Sequence, residues 1–486
     1  MKYIKKIAPP FLVAVFVGAV YYRTLAPGLT WAYDGADGGD LLTAIATGGV
    51  PHPGGYPTYI LFASVFVKLP FGSLAFCMNV FSSICMILAV VALYKLTLSL
   101  TEDRFVASIT ALGFGTFQLV WSQALITEVY ALQALLSLLV LLFFVSKNSV
   151  PFRNFTGGLA MGLALGNHLT AIFLLPFMFF DNSENMIAKP VSSTLKIKGY
   201  VRILLKRLLG LCVGLSVFVT IPLRARTQAP VNWGNAIDWN GFWWLVSGAM
   251  YRGRLSNFSP EYLFTALRAW SGFLLNQLGF IGLLIGLLVL IVFFKPTSLY
   301  LMTGWLFLSY SVFAILYYSP DSYVYLIPVL MAFAIWIGLG IGSVIEKLPP
   351  NPVWLKPILM SISIAIIGLQ AIQMIPKMDM SNDHTAEQYA QTVLENLPMN
   401  AIVMTKGDEA LFALWYFHYV KGQRPDVAVV SNELLVQPWY HYVLKSTYPT
   451  LNIPNDPEPQ GIADINAEHP LCLLSTDLRP QFDCLP

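Results

Sequence analysis

The feature that most limits this chain is a series of long apolar runs that carry few charges. They cover Ile7–Tyr22, Leu74–Leu98, Phe105–Trp121, Glu128–Ser146, Leu204–Pro222, Ala269–Phe294, Ser298–Tyr317, Ser322–Ile345 and Trp354–Ile375. A helix needs about 20 mostly apolar residues to cross a bilayer core of about 30 Å. Lipid also forces every backbone polar group to be satisfied within the protein, which leaves helices or closed barrels as the spanning structures. Runs of this length predict a polytopic all-α membrane domain. Only 11% of the 486 residues are charged, whereas soluble domains average about 25%. The net charge of +3 gives no sign of a nucleic-acid partner.

The charges also divide the chain. Fourteen of the 26 acids lie beyond Ile375, so residues 1–375 read as a membrane domain and residues 376–486 as a small α/β domain. Strands expected at Ala401–Thr405 and Asp426–Val430 alternate with helices at Glu409–Val420 and Leu434–Leu444. That order implies a right-handed crossover and a parallel sheet. The start, Met1-Lys-Tyr-Ile-Lys-Lys-Ile, leads into an apolar stretch with no small-residue cleavage site, and reads as a retained signal anchor. Cys77, Cys85 and Cys212 sit in apolar runs as packing residues. Cys472 and Cys484 are free to pair if the tail lies in an oxidising compartment.

Two segments are ambiguous as spans, and the positive-inside bias arbitrates. Pro57–Leu69 is too short to cross, and Phe155–Phe180 is interrupted by Gly166-Asn-His168. If the first is a surface or re-entrant helix and the second is a hairpin of two short helices, 16 of the 29 basic residues fall inside. Seven fall outside before the tail. The alternatives expose Lys95 and Arg104, or the basic stretch Lys189–Arg207. The expectation is about eleven crossings, with the N-terminus cytoplasmic and the tail extracytoplasmic.

The polar residues of interest then collect on the outer side. The first outer loop holds Asp34, Asp37 and Asp40 among glycines, followed by His52-Pro-Gly-Gly-Tyr56-Pro57. Locally this suits a solvated turn or a cation-binding loop as well as a cleft floor. Glu128 opens a span, where capping alone explains it. His168 interrupts an apolar run, as a satisfied core histidine or as a group facing a cavity. Arg224 and Arg226 follow a span exit and suit either a phosphate or lipid headgroups. Trp239, Trp243 and Trp244 read as an interfacial belt. Asn257-Phe-Ser259 matches an N-glycosylation triplet.

The first loop, Trp121-Ser-Gln…Glu128-Val-Tyr130, Gly166-Asn-His168, Leu223-Arg224…Asn232-Trp233-Gly and Gly407-Asp408-Glu409…Arg424-Pro-Asp426 occur in order along nearly the whole chain. Together they resemble the membrane glycosyltransferases of family 117. The resemblance implies a GT-C fold, a catalytic aspartate in the first outer loop and a polyprenyl- or dolichyl-phosphate sugar donor. Where the family pattern runs Asp-Ser-Gly-Glu-Leu and His-Pro-Pro-Gly-Tyr-Pro, this chain has Asp37-Gly-Gly-Asp40-Leu and His52-Pro-Gly-Gly-Tyr56-Pro.

On that resemblance Asp37 is expected as general base, with Asp40 orienting it or the acceptor. Arg224, supported by Arg226 or His168, is expected on the donor phosphate. His52, Tyr56, Glu128, Tyr130, Asn232 and Trp233 are expected to line the substrate pocket. Inversion follows from single-step attack, with mannose the favoured sugar and protein Ser/Thr the favoured hydroxyl acceptor; a lipid or glycan acceptor is the alternative. The acids tolerate a divalent metal without requiring it. The expected location is a bacterial or archaeal plasma membrane, with the endoplasmic reticulum as the alternative. A transporter or flippase would show inverted repeats, and none is evident; a non-catalytic scaffold is the remaining alternative.

Overall fold

The computed structural model describes residues 2–145, 152–180, 193–255, 259–292, 297–347, 354–454, 458–475 and 478–485. Lys147, Lys189, Lys295 and Asn257 lie outside them. The helices run α1 (Lys2–Thr24), α2 (Asp37–Thr47), α3 (Pro57–Ala63), α4 (Leu74–Thr101), α5 (Arg104–Gly115), α6 (Gln118–Leu125), α7 (Tyr130–Val145) and α8 (Arg153–Asn167). There follow α9 (Ser193–Leu215), α10 (Thr220–Ala225), α11 (Trp239–Val246), α12 (Pro260–Val292), α13 (Ser298–Leu316), α14 (Ile327–Lys347) and α15 (Leu355–Met378).

Among the described residues, six helices are long and apolar enough to cross a membrane, and a seventh if α5 and α6, bent by 65°, make one span. At that bend the amide of Leu119 donates to Gln277 Oε1 at 3.0 Å, which satisfies a donor the break leaves open. Eleven crossings therefore rest on further pieces that are individually short, α7 and α8 with the Leu169–Phe179 turn helix among them. Residues 57–68 are likewise short, a seven-residue helix and one tight turn.

The interruption at Gly166-Asn-His168 is real. α8 stops at Asn167, and His168 is extended (φ −157°, ψ 140°) before a 3-10 helix over Leu169–Phe179. Arg207 of α9 then binds both ends of this segment: its Nε donates to Asn154 Oδ1 and its Nη1 to the carbonyls of Met178 and Phe180, each at 2.7 Å. The two ends thus lie side by side, as a hairpin requires. α8 and α9 meet through glycines. A Cβ on Gly158 would fall 2.0 Å from the Arg207 carbonyl oxygen, one on Gly210 would fall 2.0 Å from that of Phe155, and one on Gly214 would fall 2.6 Å from that of Leu159. Rising numbers pair with rising numbers, so the two helices run parallel. Gly158/Gly162 and Gly210/Gly214 are facing small-xxx-small pairs, the device that lets membrane helices approach closely.

Beyond α15 come α16 (Thr385–Asn396), β1 (Ile402–Thr405), α17 (Asp408–Trp415), β2 (Ala428–Ser431), α18 (Pro438–Thr447), α19 (Pro459–Ile465), β3 (Leu471–Leu474) and β4 (Phe482–Leu485). The sheet order is β2-β1-β3-β4, with β1, β2 and β3 parallel and β4 antiparallel to β3. Cys472 and Cys484 face each other across β3 and β4 and form a disulfide. The helix expected over Leu434–Leu444 is split, because Pro438 cannot donate into a continuing helix and instead starts α18.

This tail region is welded to the first loop. Arg23 pairs with Asp379 at 2.9 Å, the Met380 amide donates to the Thr24 carbonyl, and Trp31 Nε1 donates to the Glu409 carbonyl at 3.1 Å. The end of α1 and the end of α15 therefore lie at the same end of the molecule.

Candidate active site

The loop between α1 and α3 builds the site from its own backbone outward. α17 lies directly on α2, and a Cβ at Gly39 would sit 2.3 Å from the Phe412 carbonyl oxygen. Glycine between the two acids is thus what lets the tail close over them. After α2 the chain turns at Gly48 (φ +78°), and Val50 bridges Asn232. That bridge carries Trp233 onto α2, where its indole Nε1 donates to Asp40 Oδ1 at 3.0 Å.

Asp40 is fully buried. Its Oδ2 accepts from the His52 amide at 2.9 Å and lies 2.7 Å from His52 Nδ1. The other ring nitrogen, Nε2, lies 3.3 Å from Asp37 Oδ2 and 2.8 Å from the Tyr56 hydroxyl. His52 itself is buried, whereas 36% of the Asp37 side chain is exposed. Burial disfavours the imidazolium, but Asp37 and Asp40 outweigh it and raise His52 well above the usual histidine value. For Asp37, burial works upward, and the charge and hydrogen bond of His52 overcome it to hold the carboxyl below its usual range.

Asp37, His52, Tyr56, Tyr130 and His168 all line one cavity of about 490 Å³. His168 is in ring contact with Tyr56, Tyr130 and Tyr325, with centroids 5.6 to 6.0 Å apart, and its Nδ1 accepts from the Thr170 amide. Asp40, Trp233 and Asn232 stand behind the wall: Asp40 and Trp233 hold His52, and Asn232 donates to the Ala225 carbonyl. Glu128 is buried, outside the lining, with Oε1 unpartnered.

The arginines are where the structure departs from expectation. Arg224 and Arg226 do not line the cavity. Arg224 Nε and Nη2 donate at 2.7 Å to the carbonyls of Gly49 and Ala44, closing the C-terminal end of α2, and Arg226 is exposed. α2 has 11 residues, so its ends stand about 15 Å apart. The pair shares the region of Asp37 but not its pocket. The guanidiniums in the cavity wall belong to Arg252 and Arg254. Arg254 Nη1 donates to Ser319 Oγ at 2.9 Å, its guanidinium lies 5.1 Å from the Tyr251 ring centroid, and its charge helps lower Asp37.

Sequence reading missed this pair, along with Asp321 and Asp408 on the same wall. The available signal was a second Arg-x-Arg, Arg252-Gly-Arg254. Asp408 keeps solvent on one side, yet desolvation on the cavity side and the charge of Asp37 push its carboxyl up to about 7. Among the described residues no group of three or more His, Cys, Asp or Glu is disposed to hold a metal ion.

The architecture matches solved structures along almost its entire length. ArnT from Cupriavidus metallidurans bound to undecaprenyl phosphate superposes with a TM-score of 0.55, covering 93% of this chain and 96% of that one at 14% identity. The apo state of the same protein gives 0.52. The chain shares the fold of that protein. Two family models match by sequence: "Protein O-mannosyl-transferase TMEM260 N-terminal domain" over residues 37–181 and "TMEM260-associated domain 2" over residues 386–467. The mouse protein O-mannosyl-transferase TMEM260 is 26% identical over 94% of this chain, and its Dictyostelium discoideum counterpart 23% over the same share. The chain spans 68% of the first and 61% of the second. By sequence the chain is thus similar to the protein O-mannosyl-transferases named TMEM260 along most of its length.

Proposed function

We propose that this protein is an inverting membrane glycosyltransferase that moves a sugar, mannose by preference, from a polyprenyl-phosphate donor to a hydroxyl on a protein acceptor. The observation that carries the reading is one cavity holding an ionised carboxylate, Asp37, together with two guanidiniums, Arg252 and Arg254. Glycosyl transfer passes through an oxocarbenium-like state. It needs a base for the incoming hydroxyl and positive charge on the departing phosphate. Asp37 takes the acceptor proton as the hydroxyl attacks the anomeric carbon. Arg254, with Arg252 beside it, neutralises the phosphate in the role first expected of Arg224. His168, Tyr56 and Tyr130 form the aromatic wall against which the sugar packs. Positive charge is supplied by side chains, so the reading needs no divalent metal.

The names of the relatives support the mannose and protein assignments, and the undecaprenyl phosphate bound by ArnT supports the donor class. We place the cavity on the non-cytoplasmic side of an eleven-span protein, with residues 376–486 as an extracytoplasmic α/β domain. The Cys472–Cys484 disulfide supports this, since such bonds persist in oxidising compartments and the tail shares its end of the molecule with the cavity. The parallel run of α8 and α9 supports the hairpin that the count of eleven needs. The matched curated relatives are eukaryotic, so a bacterial or archaeal membrane carries no preference from them.

The test is incubation of purified protein with polyprenyl-phosphate mannose and a Ser/Thr-containing peptide. Wild type should consume donor and glycosylate the peptide. Asp37→Asn should lower turnover by about 10²–10⁴-fold, the usual worth of a positioned base, with unfolding temperature unchanged. Donor moved across a vesicle without bond cleavage would instead make the protein a transporter.

A further inference from the structure

Asp40 and His52 do not share the exposure of Asp37. One is fully buried and the other nearly so, yet they form a continuous chain of contacts that ends on Asp37. A buried carboxylate needs donors or a counter-charge. Asp40 has two neutral donors, the Trp233 indole and the His52 amide, and a third contact from the His52 imidazole, whose Nδ1 lies 2.7 Å away. The ring is then clamped. Nδ1 is tied to Asp40, the Trp233 and Phe412 rings stand 6.3 Å away, and Nε2 faces both the Tyr56 hydroxyl at 2.8 Å and Asp37 Oδ2 at 3.3 Å.

We propose that His52 is a positioning residue: an imidazolium anchored on Asp40 whose Nε2–H holds Oδ2 of Asp37, fixing the carboxylate's rotamer and leaving Oδ1 for the acceptor proton. This rests on Asp37 being the base. No proton passes to His52 in the step itself; it stays protonated before and after, and Asp37 carries the acceptor's proton until product leaves. Asp40 acts through His52 and touches no substrate. The carboxylate that the resemblance sets three residues after the base is thereby given a place in the back wall, behind the imidazole.

The groups that face this unit are Asp37 and Asp40 from α2, Tyr56 from its own loop, Glu128 before α7, His168 after α8 and Asp408 at the start of α17. Arg254 acts on Asp37 from the opposite wall. Several of these carry or can carry charge independently of His52, so the test reads two limbs of a pH profile rather than one rate.

The experiment measures kcat and donor KM from about pH 3 to pH 9, with polyprenyl-phosphate mannose and a Ser/Thr-containing peptide. In wild type the acid limb should lie at or below the ordinary carboxylate value of about 3.9, and an alkaline limb should lie above the ordinary histidine value of about 6.5. His52→Gln should move the acid limb up by about 1–3 pH units, the usual influence of a lost opposite charge, and abolish the alkaline limb. Its kcat at neutral pH should fall by about tenfold or more with KM nearly unchanged, since uniform binding is untouched. Asp40→Asn should bring the alkaline limb down toward 6.5. Tyr56→Phe should leave the acid limb in place, because the hydroxyl carries no charge that holds Asp37.

If His52→Gln does not fold, Asp40→Asn and the wild-type alkaline limb carry the same test. Rates that fall equally at every pH, with both limbs where wild type has them, overturn the proposal. If Asp37→Asn keeps wild-type turnover, the base assignment fails first. If Asp37→Asn is inactive while His52→Gln keeps the wild-type profile, only the positioning role fails.

Discussion

Arg224-Ala-Arg226 and Arg252-Gly-Arg254 are the same short pattern, and the fold uses them for opposite purposes. Arg224 leaves α10 beside the C-terminal end of α2, and two of its donors bind the carbonyls of Ala44, in the last turn of α2, and of Gly49 just beyond it. Arg254 leaves a 3-10 turn over Ala249–Leu255 and stands in the cavity wall against Tyr251, Tyr317 and Ser319. A guanidinium carries five N–H donors and does not choose between carbonyl and phosphate oxygens. What is within reach decides, and that is a property of the surrounding elements.

Four substitutions separate the two pairs. The largest effect belongs to Arg254→Gln, which should lower turnover about 10²–10³-fold, as removal of one donor to a developing anion does, while unfolding temperature stays near wild type. Turnover within a factor of about three would take the phosphate role away from Arg254 and blur the contrast. Arg224→Gln should show the converse: a loss of about 2–3 kcal/mol of stability, from two charged hydrogen bonds to backbone, seen as a lower melting temperature in detergent. Turnover per folded molecule should fall by less than tenfold.

The third tests the cavity pair through its acidic neighbour. Asp408 is pushed up to about 7, from an ordinary aspartate value of about 3.9, so it gains its negative charge as pH rises through neutrality. An anionic donor approaching Arg252 and Arg254 should then bind less well at pH 8 than at pH 6, with KM rising several-fold. Asp408→Asn should flatten that rise. The smallest effect is expected of Arg226→Gln, an exposed side chain, at under about 0.5 kcal/mol in stability and no measurable change in KM; a larger KM shift would return Arg226 to the donor site.

The parts of the fold that follow from local chemistry could be read ahead. Apolar runs marked the spanning helices, and Gly166-Asn-His168 marked a break that the structure places at Asn167. Strands at 402–405 and 428–431 followed from short β-rich runs between helical ones. Asp37, His52, Tyr56, Tyr130 and His168 do share a cavity. The count of eleven was built on charge bias, which speaks to sidedness and not to helix length, and several of its members are short pieces. Arg252, Asp321 and Asp408 come from segments far apart in the chain, and no local pattern ties them together.

Composition and periodicity alone determined that this chain lies in a membrane, since burying or lipid-covering such runs is the only way to keep them from water. They also determined which loop is rich in carboxylates. Tertiary structure alone decided which of those carboxylates meets solvent and which is sealed. Asp37 and Asp40 stand three residues apart on one helix, and their different fates come from what packs over each. Trp233, carried in by a bridge from Val50 to Asn232, reaches one, and an open cavity faces the other. An acid's chemistry depends on its dielectric surroundings and charged neighbours, and those are assembled only when distant segments meet.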